Sequence, residues 1–227
     1  MARVRVKICG ICRPQDAAAA ASAGADAIGI VMDRRAGRFV SADGAEKILE
    51  AVPPMVMSVA LFVDAPADEI KNVLRTVPFS AVQLHGDESP ELVAELKPIR
   101  VIKALHLTAG DAGPLIKWRN AVRDLRLTNL IGVLVESARP AGPRGGTGIA
   151  SDFTGLRQMK SAGEFDGLPP MILAGGLTAE NVGEAIRLLQ PYAVDVSSGV
   201  EAAHREKSAS RMELFVQTAR RAGELQR

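Results

Sequence analysis

Short runs of apolar residues alternate along this chain with segments whose apolar positions recur at helical spacing. The runs span 4–9, 27–32, 56–63, 81–85, 100–107, 130–136, 170–175 and 193–197, each of a length suited to a buried strand. Between them, 14–25, 42–52, 67–77, 91–96 and 178–189 carry apolar residues at helical spacing. A last segment, 208–225, places Met212, Phe215, Val216 and Ala219 on one stripe. Helix starts are marked by Ser41, Asp64-Ala65-Pro66, Ser89-Pro90 and Thr178-Ala179-Glu180-Asn181. Eight strands, each followed by a connecting segment, predict an α/β fold: a single (β/α)8 TIM barrel occupying 1–227 as one domain. The alternative, an open doubly wound sheet, often carries a GxGxxG turn after its first strand. Here that turn reads Cys9-Gly10-Ile11-Cys12.

The same pattern assigns faces. Val4, Val6 and Ile8 share one side of the first strand, and Arg5, Lys7 and Cys9 the other. Val82 and Leu84 oppose Gln83 and His85, and Val194 and Val196 oppose Asp195 and Ser197. Glu136 is in phase with Leu134, and Lys103 lies opposite Ile102 and Ala104. With apolar residues packed under the helices, the polar ones are expected to line the barrel. The late ones then reach its C-terminal mouth, where barrel sites are found.

Composition narrows the classes of function. A chain of 227 residues with 47% hydrophobic and 24% charged side chains can bury a large core. The net charge is +2 and no basic stripe is present, Arg34-Arg35 and Arg220-Arg221 being the longest clusters, so nucleic acid is not an expected partner. Aromatics at 4% also leave no stacking platform for single strands. There is no apolar signal region and no 18-residue apolar run, so the expectation is a cytoplasmic protein without a membrane span. Two cysteines build no disulfide framework, which fits a reducing compartment.

Two features carry candidate chemistry. Leu173-Ala-Gly-Gly-Leu-Thr178 follows the seventh strand and Asp195-Val-Ser-Ser-Gly-Val-Glu201 ends the eighth, the pair of loops on which barrels hold phosphate. Glycines there let backbone N–H groups approach an anion, and a short helix near Ser198 adds its positive end. The simpler reading is a pair of tight strand-to-helix turns. The second feature is a set of polar strand ends: Cys9, His85, Glu136 and Asp195, groups suited to proton transfer. Each has a structural alternative: filler for Cys9, a hydrogen-bonding partner for His85, a helix cap for Glu136, and an internal pair with Lys7 for Asp195. Cys9-Gly-Ile-Cys12 is also a C-x-x-C, but zinc needs further ligands, and His85, His106 and His204 show no tight spacing. No metal site is expected.

Taken together, these strings resemble the phosphoribosylanthranilate isomerase family over nearly the whole chain. The resemblance rests on Val6-Lys-Ile-Cys-Gly-Ile11, Gly24-Ala-Asp-Ala-Ile-Gly29, Arg38-Phe-Val-Ser41, Ala81-Val-Gln-Leu-His-Gly86 and Val101-Ile-Lys-Ala104. It continues through Gly145-Gly-Thr-Gly148, Leu173-Ala-Gly-Gly-Leu177 with Asn181-Val182, and Ala193-Val-Asp-Val-Ser-Ser-Gly-Val-Glu201. It implies a cofactor-free Amadori rearrangement of N-(5′-phosphoribosyl)anthranilate, an enzyme of tryptophan biosynthesis with a phosphorylated small-molecule substrate. A monomer or homodimer is expected. By the resemblance Cys9 is the general base and Glu136 occupies the general acid's position. Arg38 holds the anthranilate carboxylate, His85 and Asp195 line the site, and Gly175, Gly176, Ser198 and Gly199 hold the phosphate. A cysteine of modestly lowered pKa suits the step, because an iminium intermediate acidifies the carbon it deprotonates.

Three positions depart from the family pattern. Glu136 stands where the family has aspartate, Cys12 where it has threonine or similar, and His204-Arg-Glu-Lys-Ser208 where it has Pro-Gly and Lys-Asp. A carboxyl displaced by ~1 Å can cost on the order of 100-fold. Asp152 is the competing candidate for the acid. The alternatives are a paralogous sugar-phosphate isomerase with another aglycone, or a phosphate-ligand binding barrel without chemistry.

Overall fold

The computed structural model describes residues 3–108, 110–137 and 153–224. Gly145-Gly-Thr-Gly148 and Asp152 therefore lie outside the described residues. Eight parallel strands pair in chain order and close: β1 (Arg5–Ile8), β2 (Ala27–Val31), β3 (Met57–Phe62), β4 (Ala81–Leu84), β5 (Val101–Leu107), β6 (Leu130–Ser137), β7 (Met171–Leu173) and β8 (Ala193–Val196). β1 seals the barrel against β8 with Lys7 opposite Asp195. Around it run α1 (Pro14–Ala23), α2 (Ala42–Glu50), α3 (Ala67–Thr76), α4 (Pro90–Glu95), α5 (Gly113–Asp124), α6 (Phe153–Ser161), α7 (Val182–Leu189) and α8 (Ala209–Glu224). The eight-stranded barrel expected from the sequence is the fold observed. Among the described residues no helix is long and apolar enough to cross a membrane.

The helices form where local chemistry asks for them. Pro14 opens α1 at a position with no N–H to lose, and Gly24 closes it at φ 93°, its N–H reaching Ala20 and Ala21 carbonyls. Ser41 caps α2 by accepting the Gly44 N–H at 3.3 Å. The stripe read from the last segment is buried in α8: Met212, Phe215, Val216 and Ala219. Thr178 does not open α7, which begins four residues later. The Asn181 side chain accepts the Thr178 N–H and donates to the Gly176 carbonyl, so the intervening residues form a turn. α5 and α6 fill the two connections for which the sequence pattern set no helix bounds, and β9 (Glu201–Ala203) pairs with β10 (Glu206–Lys207) as a small hairpin after β8.

Two apolar layers follow from strand parity. Val6, Ile8, Ile28, Ile30, Val82 and Leu84 belong to the large core under the helices. Val59, Ile102, Ala104, Leu134, Ile172 and Ala193 plug the barrel itself. One expectation fails. Lys103 does not line the barrel; it shares the outer face with Val101 and Leu105, where Glu88 lies 2.9 Å from its ammonium. The Leu84, Gly86 and Ala104 carbonyls accept its remaining bonds, so a polar group is tolerated under the helices because it is saturated. Burial holds its pKa below the ordinary lysine value despite Glu88.

Candidate active site

The C-terminal mouth of the barrel opens into a cleft of about 470 Å³ whose wall includes Cys9, Arg38, His85, Glu136 and Asp195. A second cleft, of about 300 Å³, lies at the opposite end around Arg5, Arg100 and Tyr192, away from every one of these side chains. Five of the nine expected site residues thus share one chamber. Barrel chemistry resides at this end of the strands, so the larger cleft is the candidate site.

Cys9 follows β1, its N–H donating to the Val196 carbonyl at 2.8 Å, and its side chain is buried. Room for it comes from Gly29 on β2, where a Cβ would stand 2.6 Å from Sγ and 3.2 Å from the Lys7 ammonium. Lys7 is buried with its Nζ 3.0 Å from Asp195 Oδ1, so the internal pair open to Asp195 does form, with Asp195 in the wall of the cleft. Burial lowers Lys7, but Asp195 and Cys9 outweigh it and hold the ammonium above its ordinary pKa. Burial raises the Cys9 thiol, and Lys7 only partly opposes this. The thiol therefore stands above the ordinary cysteine value. The lowered pKa expected from the chemistry is not found, because desolvation exceeds the nearby positive charge. Cys12 is not joined to Cys9; its Sγ sits 3.6 Å from the carbonyls of Gly10 and Arg38.

Across the mouth, three adjacent strands deliver a second group. The His85 N–H donates to the Phe62 carbonyl, which fixes the residue at the end of β4, and Gln83 lies 2.9 Å from its Nδ1. Glu136 on β6 is in register with His106 on β5. Glu136 Oε2 lies 3.6 Å from His106 Nδ1 and 4.0 Å from His85 Nε2. His106 was absent from the expected site. Its parity with Ile102 and Ala104 was a legible signal, but its partner lies on the next strand and far along the chain.

Arg38 forms one wall through a network invisible in the sequence. Its Nε and Nη2 donate to the two carboxylate oxygens of Glu201 at 2.7 and 2.6 Å, and Lys207 donates to the same carboxylate at 3.1 Å. Burial raises Glu201, but the Arg38 hydrogen bonds and Lys207 outweigh it and hold its pKa below the ordinary value. The hairpin grips the Arg38 loop further: Arg205 donates to the Gly37 and Phe39 carbonyls at 2.8 and 3.0 Å, and His204 Nε2 lies 3.2 Å from the Gly37 carbonyl.

None of the four expected phosphate residues is in the wall of this cleft. Gly175 and Gly176 both take left-handed backbone, φ 90° and 65°, which favours glycine. Ser198–Val200 is a single 3-10 turn, the short helix anticipated there. A Cβ on Gly199 would collide with the Leu177 carbonyl, so glycine lets the two loops touch. Ser197, in the cleft wall, leads directly into this turn.

Residues 6–218 match the family model for N-(5′-phosphoribosyl)anthranilate (PRA) isomerase. The chain belongs to the phosphoribosylanthranilate isomerase family. It is 44% identical to the N-(5′-phosphoribosyl)anthranilate isomerase of Acidithiobacillus ferrooxidans, covering 97% of this chain and 99% of that protein. Among solved structures, the Thermotoga maritima phosphoribosyl anthranilate isomerase superposes with a TM-score of 0.81 at 34% identity, covering 95% and 98% of the two chains. Monomers generated from that dimeric enzyme have also been solved. A phosphoribosyl anthranilate isomerase in complex with reduced 1-(o-carboxyphenylamino)-1-deoxyribulose 5-phosphate superposes at 0.78 with 32% identity, again over 95% and 98%. The resemblance read from the motifs is thus borne out along almost the whole chain.

Proposed function

We propose that this chain converts N-(5′-phosphoribosyl)anthranilate to 1-(2-carboxyphenylamino)-1-deoxyribulose 5-phosphate, a cofactor-free Amadori rearrangement in tryptophan biosynthesis. The observation that carries the reading is that Cys9 and Glu136 face one cleft in a member of this family. Glu136, as the acid, protonates the furanose oxygen, and the ring opens to an iminium. Cys9, as thiolate, takes the C2′ proton, giving an enolamine that tautomerises to the ketone. Lys7 supplies positive charge beside the thiolate. Arg38, held rigid by Glu201, offers its remaining N–H groups to the anthranilate carboxylate. His85 and Asp195 line the substrate, and the backbone of Gly175, Gly176, Ser198 and Gly199 receives the phosphate.

The enzyme so described is a cytoplasmic catalytic domain of 227 residues acting as monomer or homodimer. The test is loss of anthranilate-type fluorescence when the protein meets freshly made phosphoribosylanthranilate. Decay faster than the protein-free control supports the assignment. Decay equal to that control removes it and leaves a phosphate-ligand barrel without chemistry.

A further inference from the structure

We propose that His85, His106 and Glu136 form a binding site for one divalent transition-metal ion, best matched to Zn²⁺, at the mouth of the barrel. These residues come from three neighbouring strand ends and offer one ligand atom each, all within 4.8 Å of one another. Glu136 Oε2 lies 3.6 Å from His106 Nδ1 and 4.0 Å from His85 Nε2. In a tetrahedral site with metal–ligand bonds of about 2.0–2.1 Å, ligand atoms stand roughly 3.3–3.4 Å apart. Small side-chain rotations therefore close the set. The two imidazole planes cross at 82° with centroids 5.3 Å apart, so the rings converge without stacking.

The donor set selects the metal. Two imidazoles and one carboxylate suit zinc and its neighbours, whereas calcium and magnesium require mostly oxygen. Metal-binding histidines are oriented by a bond at their other nitrogen, and Gln83, fully buried, lies 2.9 Å from His85 Nδ1. Its Oε1 accepts no bond among the described residues. With the amide turned so that Oε1 meets the ring, it accepts the Nδ1 proton and leaves the Nε2 lone pair toward Glu136. His85 and Glu136 line the cleft, so a fourth coordination position faces solvent and admits water.

The consequence for catalysis rests on the proposed isomerase reading. A metal-bound Glu136 is held as carboxylate and cannot give a proton to the ring oxygen, so the ion acts as a reversible inhibitor that substrate excludes.

Zn²⁺ is titrated calorimetrically into chelator-stripped full-length protein, with Co²⁺ as spectroscopic probe. The expected result is one ion per chain and a four-coordinate Co²⁺ spectrum. Because His106→Ala removes a direct ligand, it should weaken Zn²⁺ binding beyond the ~10–100-fold that loss of an outer partner costs. His204→Ala, outside the set, should leave affinity unchanged. Circular dichroism establishes that each variant is folded. Equal Zn²⁺ affinity in wild type and His106→Ala, or a thiolate-to-Co²⁺ charge-transfer band placing the ion on cysteine, overturns the site. In the fluorescence assay, each protein is compared with its own metal-free rate. Wild-type inhibition by Zn²⁺ that is relieved in His106→Ala supports the inhibitory role, and undiminished turnover with the site filled overturns it. Zn²⁺ binding without turnover in metal-free protein sinks the isomerase reading and leaves the site standing.

Discussion

At the scale of single residues, the account turns on how Cys9 obtains a negative charge in a buried place. Burial raises its pKa, and Lys7 recovers only part of the shift. The reactive thiolate is therefore a minority species at neutral pH. Thiolate population, and with it the Cys9 limb of kcat/KM, should rise about tenfold per pH unit until the thiol's raised pKa is passed. Alkylation by iodoacetamide in a Cys12→Ser background reads the same titration without turnover. Its inflection should lie above the ordinary thiol pKa of about 8.5, and higher again in Lys7→Met; an inflection below 8.5 contradicts the account. Glu136 is the second residue at stake. Glu136→Gln should remove most of kcat, since an amide cannot donate a proton to a departing oxygen, while Glu136→Asp should keep or raise it. Near-normal kcat in Glu136→Gln would shift attention to Asp152. The residue types and their strand parity were readable from sequence, but the direction of the Cys9 shift was not. It depends on burial inside the closed barrel, a property no local string encodes.

At the scale of elements, the hairpin β9–β10 acts as a clamp on the Arg38 loop. Arg205 holds φ 69°, where a side chain is strained, and spends its guanidinium on the Gly37 and Phe39 carbonyls. Arg205→Gly should relieve strain of roughly 1 kcal/mol and forfeit two bonds of roughly 0.5–1.5 kcal/mol each, leaving stability within ~2 kcal/mol of wild type. Its kinetic effect should be selective. KM should rise several-fold with little change in kcat, because the loop that presents Arg38 is loosened while Cys9 and Glu136 are untouched. Thermal unfolding and steady-state kinetics check the two parts, and an unchanged KM contradicts the clamp. The segment 204–208 was recognisable as a departure from the family pattern, but the hairpin was not, since strands of three and two residues show no periodicity. The late start of α7 escaped for a similar reason: Thr178 is a good cap by type, and only the Asn181 bonds reveal a turn.

At the scale of the whole molecule, barrel closure converts a linear pattern into a site. Alternation in β1, β4, β6 and β8 was enough to place Cys9, His85, Glu136 and Asp195 at one mouth, because parity survives folding. Lys103 broke the rule, since a carboxylate and three carbonyls can satisfy an ammonium under the helices. The meeting of His85, His106 and Glu136 was not legible, because it comes from lateral pairing of consecutive strands, which brings together side chains separated along the chain by a whole helix. The central claim is that Cys9 is the base of an isomerase. The most direct measurement is the fluorescence time course of fresh phosphoribosylanthranilate with wild type and with Cys9→Ser, alongside binding of a product analogue. Serine barely changes the shape of the site, yet its hydroxyl ionises far above the working pH. The account predicts rapid decay with wild type and background decay with Cys9→Ser, whose affinity for the analogue stays within a few-fold. Turnover by Cys9→Ser near the wild-type rate would show that Cys9 is structural and would contradict the account.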